Sequence, residues 1–281
     1  MIESLLQKVK PLRVLLVGDA IIDEYCYVRP LGKSPKENII ATEFLEKETF
    51  HGGVWAAAAH VENFCETVNL ARGEKITIKR RFVEKGYVRK IFEVHESEHS
   101  LTRPWRLNYE DYDIVIVTDF GHGCVSTEMI EQMKTRAKFL AVNAQTNSAN
   151  FGFNLISKYP RADLVVLDEL EARLAAHNRH GSIEDVIKTL GFSRVIVTLG
   201  YNGAVGYEDG RFSRVQASAS RVVDTMGAGD AFFCVCAPFA CVGAEMSDLL
   251  RIGNAAGAIK VATVGHREPV TPEKLLRHLS S

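Results

Sequence analysis

No stretch of this chain is both long and apolar. Uninterrupted apolar runs, such as Val14–Val17 and Ile114–Val117, fall far below the ~20 residues of a membrane-crossing helix. A helical membrane protein is excluded. An excess of either charge is missing too: Lys plus Arg comes to 34 and Asp plus Glu to 35, so no global field would draw in nucleic acid or an anionic bilayer. An anionic ligand would have to be held by local groups. The six cysteines (Cys26, Cys65, Cys124, Cys234, Cys236, Cys241) form no CxxC pair and no zinc-like pattern with histidine, so they read as buried reduced thiols. The opening Met1-Ile-Glu-Ser has neither the basic region nor the apolar run of a signal peptide. Cytoplasm is the expected location. Repeats, low-complexity tracts and Pro/Ser linkers are absent, so one domain over residues 1–281 is expected.

What the chain does have is a recurring pair of patterns. Short β-branched runs (Val14–Val17, Ile114–Thr118, Phe139–Val142, Leu164–Leu167, Val195–Leu199) are continuous rather than alternating, which marks strands buried on both faces. Helical patterns separate them, at Ser126–Lys138 and at Ile183–Leu190, the second opened by Ser182 as a cap. Strand–helix alternation of this kind predicts an α/β layer fold with a mainly parallel sheet, whose ligands bind at the carboxyl ends of the strands. Two segments depart from it. Residues 25–50 and 76–95 alternate polar and apolar residues, as in Thr77-Ile-Lys-Arg-Arg-Phe-Val83, which predicts half-solvated antiparallel strands forming a small lid.

The strongest chemical signal is Val222-Val-Asp-Thr-Met-Gly-Ala-Gly-Asp-Ala-Phe-Phe233. Small residues at a helix start let backbone N–H groups face outward together, and those groups plus the helix dipole make an anion site. Asp230 then stands in the first turn beside the anion. A carboxylate there can orient and deprotonate an attacking hydroxyl during phosphoryl transfer. As a plain N-terminal acid satisfying the dipole, Asp230 would be explained alone, without Gly227, Gly229 or the preceding Asp224-Thr225.

This segment resembles the C-terminal signature of the ribokinase-type (PfkB) carbohydrate kinases. That resemblance implies a three-layer α/β/α ribokinase-like core with a β-sheet lid, ATP with Mg2+, and transfer of the γ-phosphoryl group to a sugar or nucleoside hydroxyl. Asp230 resembles the catalytic base and the Gly227, Ala228 and Gly229 amides the anion hole; Asp224 and Thr225 resemble residues that shape it, in some members beside a monovalent cation. Val17-Gly-Asp-Ala-Ile-Ile-Asp23 resembles the opening motif whose second Asp binds sugar hydroxyls, a role suited to a carboxylate that accepts from two hydroxyls at once; in isolation Asp23 would read equally well as a loop acid. Gly52 and Gly53 resemble the turn into a helix beneath the substrate. Thr198, Gly200 and Gly203 resemble the nucleotide-phosphate turn, and Asn254 the wall of the adenine site.

The nearest likeness is to the heptose-phosphate kinases of lipopolysaccharide precursor synthesis and their relatives fused to nucleotidyltransferases, on Gly18-Asp-Ala-Ile-Ile-Asp-Glu-Tyr25, Ser34-Pro35 and Thr118-Asp-Phe-Gly-His-Gly123. An already phosphorylated seven-carbon sugar needs cations, and Arg80, Arg81, Arg89 and Lys90 are the candidates, with Arg80 and Lys90 put first; edge-strand charges that deter aggregation are the other reading. Departures are visible. Asp168-Glu-Leu-Glu171 stands where the family shows Asn-x-x-Glu, so Asp168 and Glu171 become the expected metal-side acids; Ala56–Ala59 stands where an Asn is usual; a Lys is absent at His122. Between Asn63 and Ile76 the chain is shortened, which predicts a missing edge of the core sheet. No nucleotidyltransferase half is expected. Two functions follow: an ATP-dependent kinase for a sugar or sugar phosphate, with a homodimer through the lid, or a catalytically impaired binding or regulatory protein that keeps the fold. A dinucleotide-dependent oxidoreductase is excluded, since no Gly-x-Gly-x-x-Gly follows the first strand.

Overall fold

A computed structural model describes residues 2–97 and 107–280. Helix α1 (Ile2–Val9) precedes β1 (Arg13–Lys33), β2 (Ile40–Gly53), α2 (Val54–Val61), β3 (Thr67–Glu84) and β4 (Arg89–Glu96). The remaining elements are β5 (Ile114–Asp119), α3 (Thr127–Arg136), β6 (Leu140–Ala144), β7 (Leu164–Asp168), α4 (Glu169–Ala175), α5 (Ile183–Leu190), β8 (Arg194–Thr198), the hairpin β9 (Ala204–Glu208) and β10 (Arg211–Val215), then α6 (Ala228–Cys241), α7 (Met246–Val261) and α8 (Pro272–Ser280). The sheet runs β10-β9-β8-β7-β6-β5-β1-β3-β4, with β2 beside β1.

Side-chain alternation splits every central strand between two cores. Val14, Leu16, Ile114 and Ile116 pack with α2, α6 and α7 on one face, while Leu15, Val17, Val115 and Val117 pack with Met129, Met133, Val186 and Ile187 of α3 and α5 on the other. This is the three-layer α/β/α ribokinase-like fold, and continuous apolar runs are its cause. Ser182 caps α5 through its side chain, as the sequence suggests, and Ser126, the first residue of the other helical pattern, caps α3 in the same way. All six cysteines are unpaired. Among the described residues no helix is long and apolar enough to cross a membrane.

The lid grows out of the core. Up to Gly18, β1 pairs with β5 on one side; from Ala20 onward, β2 takes that side instead, antiparallel. On its other side β1 pairs in parallel with β3 along nearly its whole length. The expected loss of a core edge strand is therefore corrected: Thr67–Arg72 lies beside Arg13–Gly18 and runs on into the lid as the same strand. One continuous strand fills both places, which is why the segment between Asn63 and Ile76 can be short. The strands change register between Gly18 and Ala20, where a Cβ on Gly18 would collide with Thr118. Glycine is required there by the close approach.

Candidate active site

Two acids on β1 separate by role. Asp19, buried, accepts from the N–H groups of Phe120 (2.9 Å), His122 (3.3 Å) and Cys124 (3.0 Å), so it shapes the loop after β5. Burial and the charge of Asp119 push its carboxyl up to about 6. Asp23, four residues along and also buried, faces Arg81, which donates to it, and His266, whose Nε2 lies 3.5 Å away. Burial would raise the Asp23 carboxyl, but the His266 bond and the Arg81 charge hold it below the ordinary range. A Cβ on Gly52 would strike the Asp23 carboxylate, so a larger residue there would push that acid off Arg81 and His266.

Across from Asp23 stands the signature turn. Gly227, in the left-handed region at φ 72°, caps α6 without any side-chain bond, and a Cβ built on Gly229 would meet nothing within 4 Å. The approach to this helix start is therefore open at Gly229, while His266 and Lys260 crowd Gly227; a helix start with an open approach is what an anion site requires. Asp230 sits in the first turn and accepts from Gln145 Nε2, which also donates to Asn143 Oδ1 (2.8 Å) at the end of β6. Burial raises the Asp230 carboxyl, with His266, Gln145 and Lys79 pulling the other way. Asp23 and Asp230 are thus pushed in opposite directions, the pattern that separates a binding acid from a base.

Asp224 ties lid to core. Its Oδ2 accepts from Tyr25 Oη (2.6 Å) and the Gly265 N–H (3.0 Å), and its Oδ1 from Lys90 Nζ (2.7 Å) and the Met226 N–H (3.1 Å). Thr225 is exposed, and its carbonyl accepts from the Ala228 N–H at 3.4 Å. Thr198 pairs in register with Asp168 at the strand ends, and the turn after it has Gly200 at φ 58° and Gly203 at φ 86°. Gly203 packs on Val215, where a Cβ would collide with the carbonyl. Asn254 donates to the Gln216 carbonyl (2.8 Å) and to Ser218 Oγ (3.1 Å). One turn further along α7, a cavity of about 440 Å³ is lined by Ala258, Ala262, Ser220 and Arg221.

Asp168 and Glu171 form a capping box on α4: Asp168 Oδ1 accepts from the Glu171 N–H (2.7 Å) and Glu171 Oε2 from the Asp168 N–H (2.8 Å). Burial and the charge of Asp168 push Glu171 up to about 8. Two acids that repel in this way fit a cation held through its water shell, which magnesium retains readily. Among the described residues no three His, Cys, Asp or Glu side chains gather as a direct metal cage.

Two of the residues put forward from the sequence are displaced from acceptor binding. Arg80 shares a sheet face with Glu24, not with Asp23, and is paired with Glu24 (2.6 Å) and Glu96 (2.5 Å); side-chain alternation sends it outward. Lys90 reaches the site but is committed to Asp224. The inward cations are Arg81 and Lys79, which register with Tyr25 and Asp23. Lys79 is buried, with its Nζ 5.7 Å from the Phe120 ring centre, and was missed because it sits beside two arginines in sequence. Gln145 and His266 were also missed. Gln145 had one signal, a polar run directly after a buried strand end, where α/β sheets bind ligands.

A lidded α/β sheet with two facing carboxyls and an open helix start is the layout of a phosphotransferase with an alcohol acceptor. Residues 64–274 match the model of the pfkB family of carbohydrate kinases, and the chain belongs to that family. Relatives include the bifunctional protein HldE of Campylobacter jejuni, 22% identical over 94% of this chain and 64% of that protein, and that of Desulfatibacillum aliphaticivorans, 24% identical over 90% and 60%. The chain spans just under two thirds of the length of these curated relatives. Among solved structures, a ribokinase from Thermotoga maritima superposes with a TM-score of 0.74 at 18% identity, covering 96% of this chain and 100% of that one. Escherichia coli phosphofructokinase-2 in complex with potassium gives 0.69 at 15% identity over 96% and 98%.

Proposed function

We propose that this carbohydrate kinase phosphorylates a hydroxyl of a sugar phosphate, with ATP as donor. The acceptor lies between Asp23, which holds its hydroxyls, and Asp230, which takes the proton of the attacking one. The amides of Gly227, Ala228 and Gly229 hold the migrating phosphoryl group. Gly200, Gly203 and Thr198 line the remaining phosphates, and the adenine occupies the cavity beside Asn254 along α7. Magnesium, held through water by Asp168 and Glu171, supplies charge neutralisation on the nucleotide. What carries this reading is the opposed pair of carboxyls beside a helix start that is open at Gly229, because catalysis in this reaction class rests on positioning and on stabilising charge.

Arg81 is already answered by Asp23 and by Glu93 at 3.3 Å, so the acceptor's own phosphate is argued from Lys79, buried on the same inner face of the lid. A buried ammonium is costly to desolvate, and the phosphate of a heptose 7-phosphate-like substrate would offset that cost. A charge-assisted bond to phosphate contributes about 1.5–3 kcal/mol, so sugar phosphates should exceed the parent sugars by at least ~10-fold in kcat/KM. Measuring ADP release across heptoses, hexoses and their phosphates checks this. Equal rates for phosphorylated and free sugars would remove the phosphate from the reading. Absence of ADP release with every acceptor would favour the impaired binding protein, which the altered Asp168 position motivates.

The outer lid face carries Phe82 stacked on Phe92 at 4.3 Å, with Phe44, Phe92 and Val94 at least 40% exposed. A second copy pairing lid to lid would cover this patch. Sedimentation should give a dimer that Phe92→Lys converts to monomer; a monomeric wild type at micromolar concentration would refute it.

A further inference from the structure

The monovalent cation that the family likeness puts beside Asp224 and Thr225 does not fit this chain, because ammonium groups of its own stand there. Met226 and Gly265 each give their N–H to the Asp224 carboxylate and turn their carbonyl oxygens to Lys260 Nζ, at 3.0 Å for Met226 and closer for Gly265. Lys260 is 1% exposed. Its stem passes directly beneath the signature turn, since a Cβ on Gly227 would come within 3.3 Å of Lys260 Cε. From the lid, Lys90 occupies the other side of the same carboxylate.

We propose that Lys260 is a built-in cation for the Gly227–Gly229 turn, assisted by Lys90 when the lid is down, and that it makes this kinase indifferent to potassium. A buried ammonium is expensive to desolvate, and two carbonyl oxygens with the Asp224 and Asp230 carboxylates nearby offset that cost. Burial lowers its pKa while those two acids pull it back up. The fixed charge adds to the positive end of α6, where preorganised electrostatics act on the transferring group without reorganisation. Lys260 is thus a positioning residue. This inference rests on the reading of that turn as the phosphoryl site.

The test compares potassium, sodium, ammonium and choline chlorides at equal ionic strength. The first readout is the melting temperature of the wild type with and without ATP, which needs no acceptor. An ion that binds only the native state raises it by mass action, so the expected result is the same melting temperature in all four salts, and turnover within about twofold, less than the ~10-fold that 1.4 kcal/mol represents. A potassium-specific rise in either, for the wild type, overturns the proposal. Lys260→Met keeps the stem and removes the charge: its ATP-induced stabilisation should shrink, turnover should fall by ~10²-fold, and potassium or ammonium, but not choline, should restore part of both. A folded K260M as active as the wild type in choline also overturns it. Should K260M fail to fold, the wild-type series decides alone. Failure of the kinase reading looks different, since then ATP gives no stabilisation and no salt supports turnover.

Discussion

Replacing Asp230 by Asn should lower turnover by roughly 10²–10⁴-fold, the range that a positioned base contributes, while ATP binds within a few-fold of its wild-type affinity. The variant is nearly isosteric, and its amide oxygen can still accept from Gln145 Nε2, so the helix start and its amides stay in place. Only the proton acceptor is lost. Burial raises the Asp230 carboxyl, so the acid limb of the wild-type rate profile should lie above the ordinary aspartate value of about 3.9, with rate rising as pH passes through it. Because Gln145 stabilises the ionised form, Gln145→Ala should move that limb to still higher pH. Near-normal turnover by D230N, or a limb that ignores Gln145, would remove Asp230 from the role of base.

How far the sequence carries depends on the range of the cause. Central strands such as Ile114–Thr118 were legible because burial on both faces leaves a continuous apolar run, and the signature turn was legible because Gly227, Gly229 and Asp230 act within one turn of chain. The lid's inner face was not. Lys79, Arg80 and Arg81 are neighbours in sequence, and only the register of β3 against β1 decides that the first and third meet Asp23 while the second faces Glu24; a one-residue slip would reverse them. His266 comes from a loop whose course no local pattern sets, and Gln145 is marked only by the polar run that follows the end of β6. Lys260 hid in the same way, since a lysine in the last turn of an apolar helix ordinarily meets solvent and the helix dipole. Its actual partners are carbonyls on two other loops. The shortened stretch after Asn63 shows the converse limit: a missing motif did not mean a missing strand.

Removing the Asp23 carboxylate should have the second largest effect, and on two quantities that can be separated. Asp23→Ala leaves His266, 8% exposed, without its acid and Arg81, 13% exposed, with Glu93 alone at 3.3 Å, and breaking a buried pair from one side costs up to about 3–5 kcal/mol. Acceptor KM should rise at the same time, with the KM for ATP unchanged. The folded pKa of Asp23 is depressed, so its stabilisation is complete above the unfolded value of about 3.9 and is lost as pH falls through the folded value. Denaturation of D23A should accordingly be less sensitive to acid than that of the wild type, although the variant is weaker at pH 7. A purely structural ion pair would behave differently in a double variant. Asp23→Leu with Arg81→Met replaces the pair by apolar groups, which should recover most of the stability. If acceptor turnover came back with it, Asp23 would be only a structural partner of Arg81. If stability returned while turnover of the unphosphorylated sugar, which has no phosphate for Arg81 to hold, stayed lost as well, the carboxylate would be acting on the acceptor hydroxyls.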